Sequence, residues 1–313
     1  MKNLVFMVII LLSLTSNPEC LNGKINGTKK IEKPLGLVNL DGVCYANATL
    51  ESLFHLNDFN NFLIARRKSI AKKPNSPSLQ AYLKALKAYR RNSANPIFYS
   101  FIQGSYKPSV KLGTYKGIVN ERNEPTEIIQ KILLEIQEIS PSTNKLFNLL
   151  PPVQLKEIVK NKDLQATTKL LLRTSISKYV FIMIDNPFAS KLYELVEIHS
   201  KSEGGLLLPT TIRISQNASY KLASIVSSSN LSQSEPLEAE GNDFQANHQG
   251  PNHSTAYTNI EGQWFYFNDQ EVRRVNTSHI HSLLKGEPCL IDSKNMLVEQ
   301  FAPGILIYER KNI

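Results

Sequence analysis

The sequence predicts an α+β fold, and three observations carry that reading. Apolar residues before residue 150 recur at helical spacing. After Pro151 and Pro152 they fall instead in short runs rich in β-branched and aromatic side chains. The two patterns occupy separate halves of the chain rather than alternating, which sets α+β apart from parallel α/β architectures.

The elements follow in chain order. Residues 44–57 place Leu50, Leu53 and Phe54 on one helical stripe. Residues 78–91 do the same with Leu79, Tyr82, Leu83, Leu86 and Tyr89. Residues 124–138 form the strongest helical pattern: Pro125 suits a first turn, and Ile128, Ile129, Ile132, Leu133 and Ile136 make the apolar face. The first half therefore reads as helical. Beyond the proline pair, Tyr179–Ile184 reads as a buried strand. Leu192–Ile198, Leu206–Ile214, Tyr220–Val226, Ser254–Asn259, Trp264–Phe267 and Ile305–Glu309 are further strand candidates. Residues 227–251 are polar and read as one long loop, of the kind that is functional or disordered in compact domains.

A length of 313 residues allows one large domain or two lobes with an adequate core, and 42% hydrophobic content fits a globular protein. The net charge is +9, with basic residues scattered apart from Arg66-Arg67-Lys68 and Lys72-Lys73 on a helical hairpin. No nucleic-acid-binding motif accompanies them, so nucleic acid is not an expected partner.

The N-terminus is distinct. Lys2 precedes an apolar run from Leu4 to Leu14. That run falls short of the about 20 residues a membrane span needs. It suits a signal peptide over residues 1–22, cleaved between Ser16 and Gly23, followed by a leader over 23–33. The expected location is the secretory pathway or the exterior; a retained signal anchor is the alternative. No later stretch is apolar enough to span a membrane. Six Asn-x-Ser/Thr sequons, at Asn26, Asn47, Asn217, Asn230, Asn252 and Asn276, add little to that reading in a chain so rich in Asn, Ser and Thr.

Only Cys20, Cys44 and Cys289 occur, and no Cys-x-x-Cys pair. Neither a zinc ribbon nor a disulfide framework is expected, and no metal or cofactor is implied. A free thiol sits uneasily with an oxidising export route.

Cys44 opens a helical pattern, with Asp41 placed to cap it. A helix N-terminus and a nearby imidazolium both favour a thiolate. Far downstream, His253 precedes a strand and Asn268 follows the next one. Cysteine, histidine and amide are the makings of a nucleophile, its base and the group that orients the base. The plain alternative for a lone cysteine is an inert buried residue.

Residues 36–54 resemble the Cys box of the ubiquitin-specific proteases, a papain-like family of deubiquitinases. The matches are Gly36, Leu37, Asn39, Leu40, Cys44, Tyr45, Asn47, Leu50 and Leu53. Residues 253–272 resemble the family's His box, at His253, Ala256, Tyr257, Trp264, Phe267, Asn268, Asp269 and Val272. Asn123–Ile128 more loosely resembles the element between them, and Tyr220–Val226 and Ile305–Tyr308 resemble the strands that flank the His box.

The resemblance implies a papain-like fold. Its helical thumb would span 34–150, and reduced fingers with a β-rich palm would span 151–313, with the active site in the cleft between the halves. It implies a deubiquitinase that cuts after the C-terminal glycine of ubiquitin or a ubiquitin-like protein. Cys44 would be the nucleophile and His253 the base, with His248 a nearby competitor. Asn268 would orient the base, with Asp269 as fallback, and Asn39 would stabilise the oxyanion. Glu124, Asn123 and Asp269 would contact the ubiquitin tail, and the 227–251 loop would gate the groove.

Departures keep other readings open. Asp41 and Asn252 stand where the family has Gly, Ser254 stands for Tyr, and the zinc ribbon is missing. A degenerate relative acting as a secreted binding protein, or a thiol peptidase with other substrates, fits those departures. A glycan on Asn47 or Asn252 would ruin the site.

Overall fold

Among the described residues before 140, apolar stripes at helical spacing become five helices: α1 (Cys44–Phe54), α2 (Asn57–Ala65), α3 (Arg67–Ala71), α4 (Pro77–Ala94) and α5 (Pro125–Ile139). The protein is described here by a computed structural model covering residues 34–39, 42–94, 98–102, 105–112, 116, 118–119, 124–139, 146–149, 153–154, 177–185, 210–215, 218–229, 253–285 and 302–312. The expected signal peptide, leader and Leu192–Ile198 strand lie outside the described residues.

Helix α1 is buried from Cys44 to Phe54, so the rest of the helical half is built around it. Its hydroxyls are satisfied locally: Thr49 Oγ1 donates to Tyr45 O at 2.8 Å and Ser52 Oγ to Thr49 O at 2.7 Å. The single helix expected over 44–57 breaks after Phe54. Asn60 Nδ2 donates at 2.9 Å to both Leu53 O and Phe54 O, satisfying carbonyls that a helix end leaves without partners. Helix α5 buries the expected isoleucine and leucine face. Its Glu135 accepts from Ser78 N at 3.1 Å and Leu79 N at 2.7 Å, placing an anion on the positive end of α4.

The first half is not purely helical. Strands β1 (Gly36–Leu37), β2 (Phe98–Ile102) and β3 (Ser105–Val110) form a small sheet in the order β1-β3-β2. The second half supplies β4 (Phe147–Leu149), β5 (Val153–Gln154), β6 (Tyr179–Asp185), β7 (Thr211–Ser215), β8 (Ala218–Ser229), β9 (His253–Ile260), β10 (Gln263–Asn268), β11 (Glu271–Val275), helix α6 (Thr277–Lys285) and β12 (Ala302–Asn312). The main path of the large sheet runs β11-β10-β9-β8-β12-β6-β4. Its pairings are antiparallel except those of β4 and β5 with β6. Strand β8 runs to Ser229, which pairs with His253, so the loop expected from 227 starts later.

Aromatic packing joins the halves. Phe59 on α2 meets Tyr82 of α4 and Phe147, Tyr179 and Phe181 of the large sheet, with ring centroids 6.2–6.4 Å away. Edge-to-face and tilted contacts at this spacing are favourable beyond simple burial. Among the described residues no helix is long and apolar enough to cross a membrane.

Candidate active site

The two expected boxes converge on one end of α1. Strands β9 and β10 are joined at Glu261 and Gly262, both at positive φ (54° and 87°), the geometry of a tight hairpin whose twist matches its strands. The register pairs Phe267 with Ala256, so the next residue, Asn268, falls beside the start of β9. There His253 Nε2 and Asn268 Oδ1 stand 2.6 Å apart. An imidazole that donates from Nε2 to this oxygen turns Nδ1 toward sulfur. Cys44, the first residue of α1, is hydrogen-bonded to His253.

Electrostatics follow from this placement. His253 is 4% exposed. Burial alone would lower its pKa, but the hydrogen bond and charge of Cys44, the charge of Asp269 and the bond to Asn268 outweigh it and raise His253 from 6.5 to about 9. These neighbours favour the charged form of the ring. Cys44 itself is 8% exposed.

Asn39 and Asp269 complete the arrangement. Asn39 Oδ1 accepts from Val43 N at 2.9 Å, fixing the residue that precedes α1. Its Nδ2 donates to Asp269 Oδ2 at 2.9 Å. Asn47 Nδ2 donates to the other carboxylate oxygen at 2.8 Å. Asp269, expected among the contacts to the ubiquitin tail, thus has both oxygens engaged from within and is only 9% exposed. Burial raises its pKa, opposed by Asn47, by the His253 charge and by Asn39.

The turn carrying Asp269 is docked on β1. Leu37 N donates to Asp269 O at 2.9 Å. A Cβ on Gly36 would stand 2.2 Å from that carbonyl oxygen and 2.5 Å from Gln270 C, so only glycine permits this approach.

Beneath the site lies a buried pair that the sequence did not flag. Glu51 Oε2 and His55 Nε2 are 3.5 Å apart, one helical turn from each other. Burial pushes the Glu51 carboxyl well above the usual carboxylate range. Burial, with the charge of Arg90, lowers His55 to about 3. Burial thus disfavours the charged form of both side chains. The His55 ring stacks on Phe267, next to Asn268, at 5.5 Å.

Not every expected residue joins the site. Glu124 is exposed, just before α5. Asn123, Asp41, His248 and Asn252 lie outside the described residues. The roles of Asn47 and Gly36 were missed, although both match the Cys box. Among the described residues no cluster of His, Cys, Asp and Glu is arranged to hold a metal ion.

Comparison with known proteins agrees with this geometry. The family model of the ubiquitin carboxyl-terminal hydrolases matches residues 35–308. No curated protein matches the chain. Among solved structures, a SAGA DUB module of Ubp8, Sgf11, Sus1 and Sgf73 is similar, with a TM-score of 0.50 at 14% identity over 90% of this chain and 68% of that one. A yeast SAGA DUB module gives 0.48 at 13% identity over 90% and 69%. At such identity the first likeness bears on the fold alone, and the fold is the papain-like α+β one. A match that begins before the Cys box and ends in the closing strand makes this chain a member of the ubiquitin carboxyl-terminal hydrolase family, of the ubiquitin-specific protease type.

Proposed function

We propose that the chain is a thiol-dependent deubiquitinase that cleaves the isopeptide or peptide bond after the C-terminal glycine of ubiquitin or a ubiquitin-like protein. One observation carries the reading: Cys44, His253 and Asn268 form a continuous hydrogen-bonded line at the start of a buried helix. The Cys44 thiolate attacks the glycine carbonyl carbon, forming a C–S bond and an oxyanion. Asn39 Nδ2, held by Asp269, donates its second hydrogen to that oxyanion. Collapse breaks the C–N bond, and the leaving amine takes the His253 proton. Neutral His253 then draws a proton from water, which hydrolyses the thioester and restores the resting pair. Asn268 keeps the ring oriented throughout. Glu124 and Asn123 contribute to holding the ubiquitin tail, whereas Asp269 positions Asn39 and Asn47.

The test is hydrolysis of a ubiquitin–fluorophore conjugate by the reduced protein. Turnover abolished in Cys44→Ala supports the proposal; a folded, reduced protein with no turnover rejects it. The near-complete burial of Cys44 favours a second reading, a family member that binds ubiquitin without cutting it. Stoichiometric ubiquitin binding without turnover distinguishes that case.

We also propose export through the signal segment. Native material should then carry a glycan on exposed Asn276 and none on Asn47, whose amide is buried against Asp269. Retention of an unprocessed chain in the cytosol would reject export.

A further inference from the structure

The chain has 36 Lys and Arg against 27 Asp and Glu, and the excess is not spread out. Residues 59–94 hold nine Lys and Arg and no acidic residue, so the remainder is balanced at 27 against 27. This segment is the end of α2, all of α3 and all of α4. Arg67, Lys68, Lys72, Lys73, Lys84, Lys87 and Arg91 are exposed in it.

Three of these cations, with Arg90, line a groove. Between the consecutive helices α2 and α3 and helix α4 lies a cleft of about 480 Å³, with Ile64, Ile70, Leu83 and Leu86 among its apolar lining and Arg67, Lys84, Lys87 and Arg90 on its rim. Leu83 had been expected in the core stripe of its helix; the structure leaves it half-buried on the groove wall. The walls are braced. Gln80 Nε2 on α4 donates to Lys73 O at 2.8 Å and to Ile70 O at 3.3 Å, and Arg67 Nη1 donates to Ile64 O at 3.0 Å. Lys84, Lys87 and Arg91 follow one side of α4 over about 10 Å.

We propose that this groove is a docking site for an acidic amphipathic helix of a partner protein, which seats its apolar stripe on the groove floor and its Glu and Asp side chains on the rim cations. Charge complementarity names the occupant: an apolar floor asks for apolar side chains, and a rim without a single carboxylate asks for anions. The shape argues against a flat anionic membrane. A bilayer surface needs protruding apolar residues as well as cations, and the large exposed apolar side chains among the described residues, Val119 and Leu134, belong to other segments. A single small carboxylate cannot address rim cations spread over two helices, α3 and α4. The site is separate from the proposed chemistry, so it holds whether or not Cys44 turns over substrate.

The test is fluorescence anisotropy with the reduced full-length chain. The probe is a labelled peptide of about 16 residues with Leu at i, i+3, i+4 and i+7 and Glu on the flanking positions. The competitors are a scrambled peptide of the same composition, polyglutamate, phosphatidylserine vesicles and a DNA duplex. The amphipathic peptide should bind about tenfold or more tightly than the scrambled one. It should lose about tenfold in the double variant Lys84→Glu/Lys87→Glu and in Ala71→Trp, which fills the groove from an exposed lining position. Circular dichroism should show both variants folded, and ubiquitin–fluorophore hydrolysis should match the parent's, whatever that rate is. Equal binding of scrambled and amphipathic peptides overturns the proposal, as do vesicles or DNA that displace the probe more strongly than unlabelled peptide, or folded variants that bind unchanged.

Discussion

Asp269 and Asn39 stand 230 residues apart in the chain, yet the Asp269 carboxylate accepts from the Asn39 amide at 2.9 Å. The same carboxylate holds Asn47 through its other oxygen and lends its charge to His253. One buried acid thus holds Asn39, anchors Asn47 on the helix that begins at Cys44, and places a negative charge by His253.

Replacing that acid tests the arrangement. In Asp269→Asn one acceptor becomes a donor facing amide donors. Each lost charge-assisted bond is worth about 1.5–3 kcal/mol. We expect kcat to fall by roughly 10- to 100-fold with KM little changed, because ground-state binding does not use the carboxylate. Asn39→Ala should cost about 100- to 1,000-fold in kcat, the usual loss for one oxyanion donor. Steady-state kinetics on a ubiquitin–fluorophore conjugate reads both; an unchanged kcat in either variant contradicts the assigned role.

The His253 shift gives a pH dependence with a fixed sign. The folded value of about 9 lies above the ordinary 6.5. The stabilisation this group contributes is therefore complete below pH 6.5 and is lost as pH rises through about 9. Urea unfolding should show stability falling across that window, and the fall should flatten in His253→Gln. Turnover should decline above about pH 9 as the imidazolium loses its proton. A variant whose stability falls as steeply as the parent's places the titrating group elsewhere.

Much of this was legible in the sequence, and the gaps have physical causes. Helical spacing identified α1, α4 and α5, and β-branched runs identified β6, β8, β9, β10 and β12, because in each the buried face is written into the apolar pattern. That Cys44, His253 and Asn268 meet in space was legible from the flanking residues that match the two boxes. The β2–β3 hairpin was not: Pro108 lies within β3, and proline argues against a strand. Helix α6 went unread although Ile280, Leu283 and Leu284 are buried at helical spacing behind Thr277. The inward turn of Asp269 was illegible because its partners come from a segment far away in the chain. The polarity of Glu51 and His55 concealed their burial.

That buried pair carries its own prediction. Burial raises the Glu51 carboxyl well above its ordinary 4.5 in the folded chain. Folding is therefore penalised increasingly as pH rises above 4.5. Glu51→Gln retains the shape and the neutral form, so it should raise Tm by a few degrees at neutral pH, with the gain vanishing in acid. Thermal melts across pH check it; a variant destabilised at neutral pH would show that the carboxyl is ionised in the fold.

Gly36 tests the docking of the Asp269 turn on β1. Both atoms nearest to an added Cβ belong to backbone, so no side-chain rotation can relieve the clash. Gly36→Ala should cost about 1–3 kcal/mol of stability by overpacking. It should also lower turnover, since the displaced turn carries Asp269 and adjoins Asn268. Chemical denaturation and the hydrolysis assay together check this, and a variant equal to the parent in both refutes the close packing.

The most direct measurement treats the reduced protein with ubiquitin bearing a thiol-reactive electrophile at its C-terminus and maps the adduct by tandem mass spectrometry. A single ubiquitin adduct should form on Cys44, absent in Cys44→Ala and strongly slowed in His253→Ala. A folded, reduced protein that binds ubiquitin yet forms no adduct, or forms it on another cysteine, contradicts the account.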